Sequence, residues 1–227
     1  MNKNIKYLIE NIINFDVGDY QDEEDIVIDN QTIHNTLYRY FPKTKYELQE
    51  IIIKKLKENK FGSNGFIRPD LSDINTSLIT DMSNLFSAAP TDYLNKNWVD
   101  AWLIDELDLS TWNMSNVVNM YAMFYCCSAL QKIKFPDCNT LSVINISNMF
   151  FGCTTLMELD LSSFDTSNVT DMSCAFQGCD LLRTLDLTNW STINTRYMDD
   201  LFDGCLSLEN VYTDNIKISN KFNTFKD

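Results

Sequence analysis

Columns of apolar residues recur along this chain at one fixed step. Leu107, Ile133, Leu159, Leu185 and Val211 stand 26 residues apart, and so do Leu109, Phe135, Leu161 and Leu187. The same step links Phe124, Phe150, Phe176 and Phe202, and again Leu130, Leu156, Leu182 and Leu208. An earlier copy, Leu71 to Phe86, has the same second half but reaches the next phenylalanine after 38 residues, which places a 12-residue insertion between them. A period in this range constrains the fold more than any other feature. No single unit can bury its apolar face alone, so only neighbours lying on one another complete a core, which is the logic of a solenoid.

Each unit carries two internal periods. In Glu158-Leu-Asp-Leu-Ser162 the apolar residues alternate, which predicts a short strand with Leu159 and Leu161 inward and Glu158, Asp160 and Ser162 outward. Further on, Val169, Met172, Phe176 and Cys179 are spaced by three, four and three, the spacing of one helix face. Thr166 or Ser167 is the expected N-cap, Asp171 sits in the first turn, and Gly178 suits the left-handed position that ends a helix. Gly152 and Gly204 repeat that stop, while Cys126 takes its place in the first full copy and predicts a looser turn there. The column Trp112, Cys138, Phe164 and Trp190 reads as core filling at the corner after the strand. The expected fold class is therefore α/β, one short parallel strand plus a short helix per 26-residue coil.

The copies LDLSSFDTSNVTDMSCAFQGCDLLRTL (Leu159 to Leu185) and LDLSTWNMSNVVNMYAMFYCCSALQKI (Leu107 to Ile133) resemble the BspA-like leucine-rich repeats. This is the 26-residue form met in bacterial surface proteins, mycoplasma lipoproteins and phage-encoded proteins. The resemblance covers about Leu71 to Val211, and the stretch YFPKTKYELQEIIIKKLKENK before it is similar to the helical lead-in found upstream of such repeats. It implies a leucine-rich-repeat solenoid in an adhesion or protein-binding role, with no catalytic residues to carry over.

The N-terminal segment lacks the repeat. Ile5, Leu8, Ile9, Ile12 and Ile13 fit an amphipathic helix, Asp16 to Asp25 is an acidic link, and DIVIDN reads as a short strand. A second helix is expected over Gln31 to Tyr40. A third is better marked: Thr44-Lys-Tyr-Glu47 has the form of a capping box, Leu48, Ile51, Ile52 and Leu56 make a buried stripe, and the helix stops near Asn59 to Gly62. Solenoid ends expose core and sheet edges and need covering. The organisation expected is thus a helical N-terminal cap over residues 1–66, a repeat array over 67–211 with an insertion at about 87–105, and a C-terminal cap over 212–227.

The seven cysteines pose a chemical question. Cys127, Cys153, Cys179 and Cys205 form one more column, directly after the turn stop. Stacked units would place them roughly 4.8 Å apart, inside the range a disulfide tolerates, so an oxidised ladder is sterically conceivable. Cysteine is also among the most buried residue types and packs as a small hydrophobe, and packing is the reading favoured here. Zinc is disfavoured: there is no C-x-x-C, and the single histidine, His34, lies outside the repeats. Asp199, Asp200 and Asp203 match no calcium-loop spacing and read as a solvated face. No cofactor, metal or catalytic residue is expected.

Eighteen basic against 32 acidic residues give a net charge of −14, which disfavours nucleic acid and anionic membrane surfaces as partners. No apolar run approaches the roughly 18 residues of a membrane span, and the first residues have no unbroken core of the length a secretory signal requires. A cytoplasmic or virion-associated chain is the expectation, or a cell-surface one where an export signal has been removed. The expected partner is a protein, met at one of two surfaces. The first is the insertion, SAAPTDYLNKNWVDAWLID, with Tyr93, Trp98 and Trp102 as aromatic anchors; Trp98 and Trp102, four apart, equally fit a short helix that only packs on the array. The second is the outward strand face, with Glu106, Asp108, Lys132, Lys134, Glu158, Asp160 and Asp186, where lysines interrupt an acidic stripe and so stabilise the sheet. An extracellular adhesin and a structural component of a phage particle stay open beside a general interaction module. The four sequons, at Asn75, Asn113, Asn145 and Asn168, are explained by the Ser/Thr-rich turn of the repeat itself.

Overall fold

The computed structural model describes residues 27–28, 31–32, 38–58, 65–88, 101–137 and 139–226. The expected helix over Ile5 to Ile13 lies outside them, as do His34, Tyr93, Trp98 and Cys138. The fold is mixed α/β, with short parallel strands and few helices. An antiparallel pair, β1 (Val27–Ile28) and β2 (Gln31–Thr32), precedes helix α1 (Lys45–Glu58). A 3-10 turn (Ala101–Leu103) leads into β3 (Glu106–Asp108), followed by β4 (Lys132–Lys134), β5 (Glu158–Leu159), β6 (Thr184–Asp186), β7 (Asn210–Tyr212) and helix α2 (Ile216–Lys226).

The strands pair in parallel at the repeat step. Leu107 pairs Ile133, Ile133 pairs Leu159, and Leu185 pairs Val211. A second parallel ladder of single bridges runs through Asp81, Asn119, Asn145, Asp171 and Tyr197. Successive units therefore lie side by side in register, held along two lines except between β5 and β6, where only the second ladder runs through. Between those lines runs the core, whose main feature is a column of rings. Phe86, Phe124, Phe150, Phe176 and Phe202 are all within about 1% of complete burial, with neighbouring centroids 5.3 to 6.0 Å apart and planes within 8° of parallel. Rings at this spacing and offset gain contact beyond the area they bury.

The helix expected in each unit is not there. Val169, Met172, Phe176 and Cys179 are buried as the spacing requires, but the backbone that carries them is a run of tight turns. Amides alternate in their duties. Ala175, Gln177 and Cys179 donate three residues back within the unit, to the carbonyls of Met172, Cys174 and Phe176. Met172, Cys174, Phe176 and Gly178 donate instead to Tyr197, Asp199, Leu201 and Asp203 of the next unit. Two features select turns over helix. Asp171 accepts the Ser173 amide at 2.9 Å and so acts as a turn-former instead of a charge in a helix first turn, with Asp81, Asn119 and Asn145 repeating this role. And two residues per turn run sit at positive φ, Cys174 and Gly178 here, with Asn148 and Gly152 one unit earlier, which breaks any helix every four residues.

The glycine positions were read correctly as left-handed, and they also set the approach of neighbouring units. A Cβ on Gly178 would lie 3.5 Å from the Gly152 Cα, and one on Gly204 would lie 3.4 Å from the Gly178 Cα and N. Cys126 adopts the same conformation at φ 59° without glycine's freedom.

The helices before and after the strands both contribute to the common core. Leu48, Ile52 and Leu56 of α1 join the common core, and Lys55 binds Asp73 at 2.6 Å while Lys45 binds Asp81 at 2.9 Å. The capping box forms in a shifted version: the Glu47 amide donates to Thr44 Oγ1, while the Glu47 carboxylate accepts from the amide of Lys43, one residue further out. At the other end Asn215 accepts the amides of Lys217 and Ile218 at the start of α2, Ile218 is fully buried, and Phe222 meets Phe202 edge-on at 6.0 Å. The helix expected over Gln31 to Tyr40 is replaced: Gln31–Thr32 is β2, and Tyr40 bridges Ile74 in parallel while accepting the Asn75 amide. The open backbone edge of the first unit offers Tyr40 two hydrogen bonds, which outweigh a weak helical pattern containing the β-branched pair Thr32 and Ile33.

Phe150→Ala, in the middle of the ring column, is expected to cost about 3–5 kcal/mol of stability, read as a lowered urea midpoint. Gly178→Ala is expected to destabilise and Cys126→Gly to stabilise, each by about 1 kcal/mol, in the same assay, because one creates and the other removes a left-handed non-glycine residue.

Candidate interaction surface

The short strands turn their odd and even residues to opposite sides. In β3, β4 and β6 the central residue is buried and its two neighbours exposed, so Glu106, Asp108, Lys132, Lys134, Thr184 and Asp186 stand outward as expected, with Glu158 of β5 and Asp160 beside them. Much of the charge is already engaged. Lys132 pairs with Glu158 at 3.2 Å and Lys134 with Asp108 at 3.5 Å, each across one strand spacing, and Arg68 reaches Glu106 at 3.0 Å. These are exposed pairs, worth a few tenths of a kcal/mol to about one each.

The aspartates have a second duty. Asp108, Asp160 and Asp186 accept the amides of Ser110, Ser162 and Thr188 at 2.9 to 3.0 Å, forming the turn that ends each strand. Hydrogen bonds from the hydroxyls and amides of those residues hold the three carboxyls below their ordinary range. The fourth member of the column is Lys134, and its turn partner is Pro136, which has no amide to donate. Acceptor and donor are lost together there. Next to it lies an open concavity of about 570 Å³, lined among others by Lys132, Lys134, Phe135, Pro136, Glu158 and Asp160.

Of the aromatic insertion only its exit is described. Trp102 lies in the 3-10 turn and is 52% exposed, while Ala101 and Ile104 on either side are buried. The turn packs on the array through those residues and leaves the indole outside, four residues before Glu106. Asp105, almost fully buried, is held by Arg68 through two hydrogen bonds of 3.0 and 2.7 Å. Trp102 is thus exposed in the turn that enters the first strand of that face, and Tyr93 and Trp98 fall outside the described residues.

The cysteine column is packed in the core. Cys127, Cys153, Cys179 and Cys205 are buried free thiols, and each donates to a phenylalanine carbonyl of the preceding unit: to Phe86, Phe124, Phe150 and Phe176, at 2.9 to 3.3 Å. Sequence reasoning assigned these thiols to packing and missed the hydrogen bond, whose acceptor lies 29 residues back for Cys153, Cys179 and Cys205, one 26-residue step beyond the ring three residues before each cysteine. Desolvation pushes all four thiols upward, Cys205 to about 11, the direction opposite to an activated nucleophile. Among the described residues no group of three His, Cys, Asp or Glu side chains is placed to hold a metal ion. Asp199 pairs with Lys221, and Asp203 accepts from Gln177. The sequon asparagines are occupied too: Asn75, Asn113 and Asn145 accept amides two residues on, and Asn168 donates to the Leu141 carbonyl.

A family described as "Mycoplasma protein of unknown function, DUF285" matches residues 54–107 and 128–225. The chain belongs to the DUF285 family. The match covers the described units except the first turn run after β3, and it agrees with the BspA-like repeats read from the sequence. A leucine rich cell surface protein from Faecalibacterium prausnitzii A2-165 is similar to this DUF285 chain at 16% identity and a TM-score of 0.40. That similarity covers 74% of the chain and 40% of the solved one, so the chain spans well under half of that protein's length. No curated protein matches it. Among the described residues no helix is long and apolar enough to cross a membrane.

In the folded protein, Cys127, Cys153, Cys179 and Cys205 are expected to resist alkylation that labels them fully in denaturant, read by peptide mass spectrometry. Their raised thiol values make the native state hold protons that the unfolded chain releases above about pH 8.5, so the contribution of the buried thiols is full below that pH and, for Cys205, is lost as pH rises toward 11. Cys205→Ser, which keeps a donor for the Phe176 carbonyl but does not ionise, is expected to make that decline shallower by up to about 1.4 kcal/mol per pH unit.

Proposed function

We propose that this DUF285 chain is a non-enzymatic protein-binding module, a leucine-rich-repeat solenoid with a helical cap over its N-terminal end, and that it meets its partner through the outward strand face. The observation that carries this reading is the contrast between the two kinds of polar group. The groups of the repeat columns that could act as reagents are consumed by the architecture: the thiols of Cys127, Cys153, Cys179 and Cys205 are buried and protonated, and the aspartates that end each strand are tied into turns. What is left exposed is a regular array of charged side chains on short parallel strands, with an exposed Trp102 in the turn that leads into them. Such a face offers a rigid, evenly spaced set of contacts, and an exposed tryptophan beside it is a favoured anchor.

Two surfaces contribute in this proposal. Trp102, with Tyr93 and Trp98 of the same insertion, supplies apolar contact; Glu106, Asp108, Lys132, Lys134, Glu158, Asp160 and Asp186 supply the charges that select the partner. A photo-crosslinking residue at Lys134 is expected to capture a protein partner in the source cell, and one at Asn116, on the loop side of the units, is expected not to. Trp102→Ala should weaken the captured complex about tenfold or more without lowering the melting temperature. Capture from the loop position alone would contradict the assignment of the face, and turnover of a small molecule lost in Cys179→Ser would contradict the module reading itself.

A further inference from the structure

The strand side of the array is interrupted at one place. β3, β4 and β5 pair in one sheet and β6 and β7 in another, and among the described residues no backbone hydrogen bond joins residues 157–162 to 183–188. The other sides of the same junction are intact. Met172, Cys174, Phe176 and Gly178 donate to the next unit at 2.8 to 3.1 Å, Thr166 exchanges two hydrogen bonds with Ser191, and Cys205 donates to the Phe176 carbonyl.

Two further signs mark the junction. Leu159 is only half-buried, whereas Leu107, Ile133 and Leu185 of the same column are buried. Trp112 donates its indole N–H to the Leu71 carbonyl at 3.2 Å, but the equivalent N–H of Trp190, buried, finds no acceptor.

The outward charges supply a cause. Ion pairs tie the strands within each sheet, Lys132 with Glu158, Lys134 with Asp108 and Arg183 with Glu209, and none spans the junction. There Asp160 and Asp186 occupy the same column on neighbouring units with no lysine between them. Like charges directly opposite on adjacent strands oppose pairing.

We propose that the array consists of two cooperative blocks with a charge-set joint between β5 and β6, hinged on the turn side and opened on the strand side by the Asp160–Asp186 pair. The C-terminal block, β6, β7 and α2, is then the less stable one and opens ahead of β3 to β5. The joint lets the strand face change its curvature at that point while the turn-side ladder stays closed.

Native-state hydrogen exchange with mass spectrometry tests this on the full chain. The amides of Leu187 and Glu209, bonded to Tyr212 and Arg183, are expected to exchange in a separate, lower-stability transition from those of Leu109 and Gln131, bonded to Lys134 and Asp105. Asp186→Asn keeps the acceptor for Thr188 and removes the charge, and is expected to slow exchange in the C-terminal block alone by about two- to fivefold. Raising salt from about 20 mM to about 500 mM should act in the same direction on the unmodified chain. A single transition shared by all four amides would overturn the joint. Two transitions that respond to neither Asp186→Asn nor salt would overturn its electrostatic origin.

Discussion

Each of the first four phenylalanines of the buried column, Phe86 to Phe176, binds its unit to the next in three ways at once. Its ring stacks on the following ring, its amide donates to a carbonyl of the following unit, and its carbonyl accepts the thiol of that unit's cysteine. For Phe150 these partners are Phe176, Ala175 and Cys179. The rest of the structure follows from this arrangement. A ring that must lie over its neighbour at about 5–6 Å, carried by a backbone that must also bond across the same gap, cannot be accommodated by an α-helix, whose amides are used internally. Tight turns free alternate amides for the neighbour, and the left-handed residues that turns require explain the glycine column.

The apolar and structural logic was legible because it depends only on period. The in-phase leucines, phenylalanines and cysteines located the core, and Leu107, Ile133 and Leu159 pair as the step requires. The outward set from Glu106 to Asp186 was legible from alternation alone. The helix was misread because burial at three-four-three spacing is shared by a helix and by a turn run of this kind. What distinguishes them is the Asn or Asp before each run, whose side chain accepts the amide two residues on, and that is a hydrogen-bonding fact that apolar periodicity does not carry. Tyr40 was misread for a related reason, since the edge it pairs with exists only once the first unit has folded.

The candidate surface was half legible. Charge alternation down the strands was visible, and so was the role of Lys132 and Lys134 in separating carboxylates. That Asp108, Asp160 and Asp186 also close the strand-ending turns was not read, although the serine or threonine two residues later accompanies each of them. This double employment matters for function. A carboxylate fixed by two hydrogen bonds presents its charge at a defined position, which suits recognition, and is held ionised, which suits proton transfer poorly.

All of this depends on units joined in register by a repeating contact, and in-phase deletion tests that most directly. Removing residues 158–183, one whole 26-residue unit, leaves Phe150 to stack on Phe202 and Ile133 to pair with Leu185. The account expects a shorter chain that still unfolds cooperatively in urea. Removing 13 residues from the same place, 158–170, puts every column out of phase and is expected to abolish cooperative unfolding. Equal behaviour of the two deletions, whether both folded or both unfolded, would contradict it.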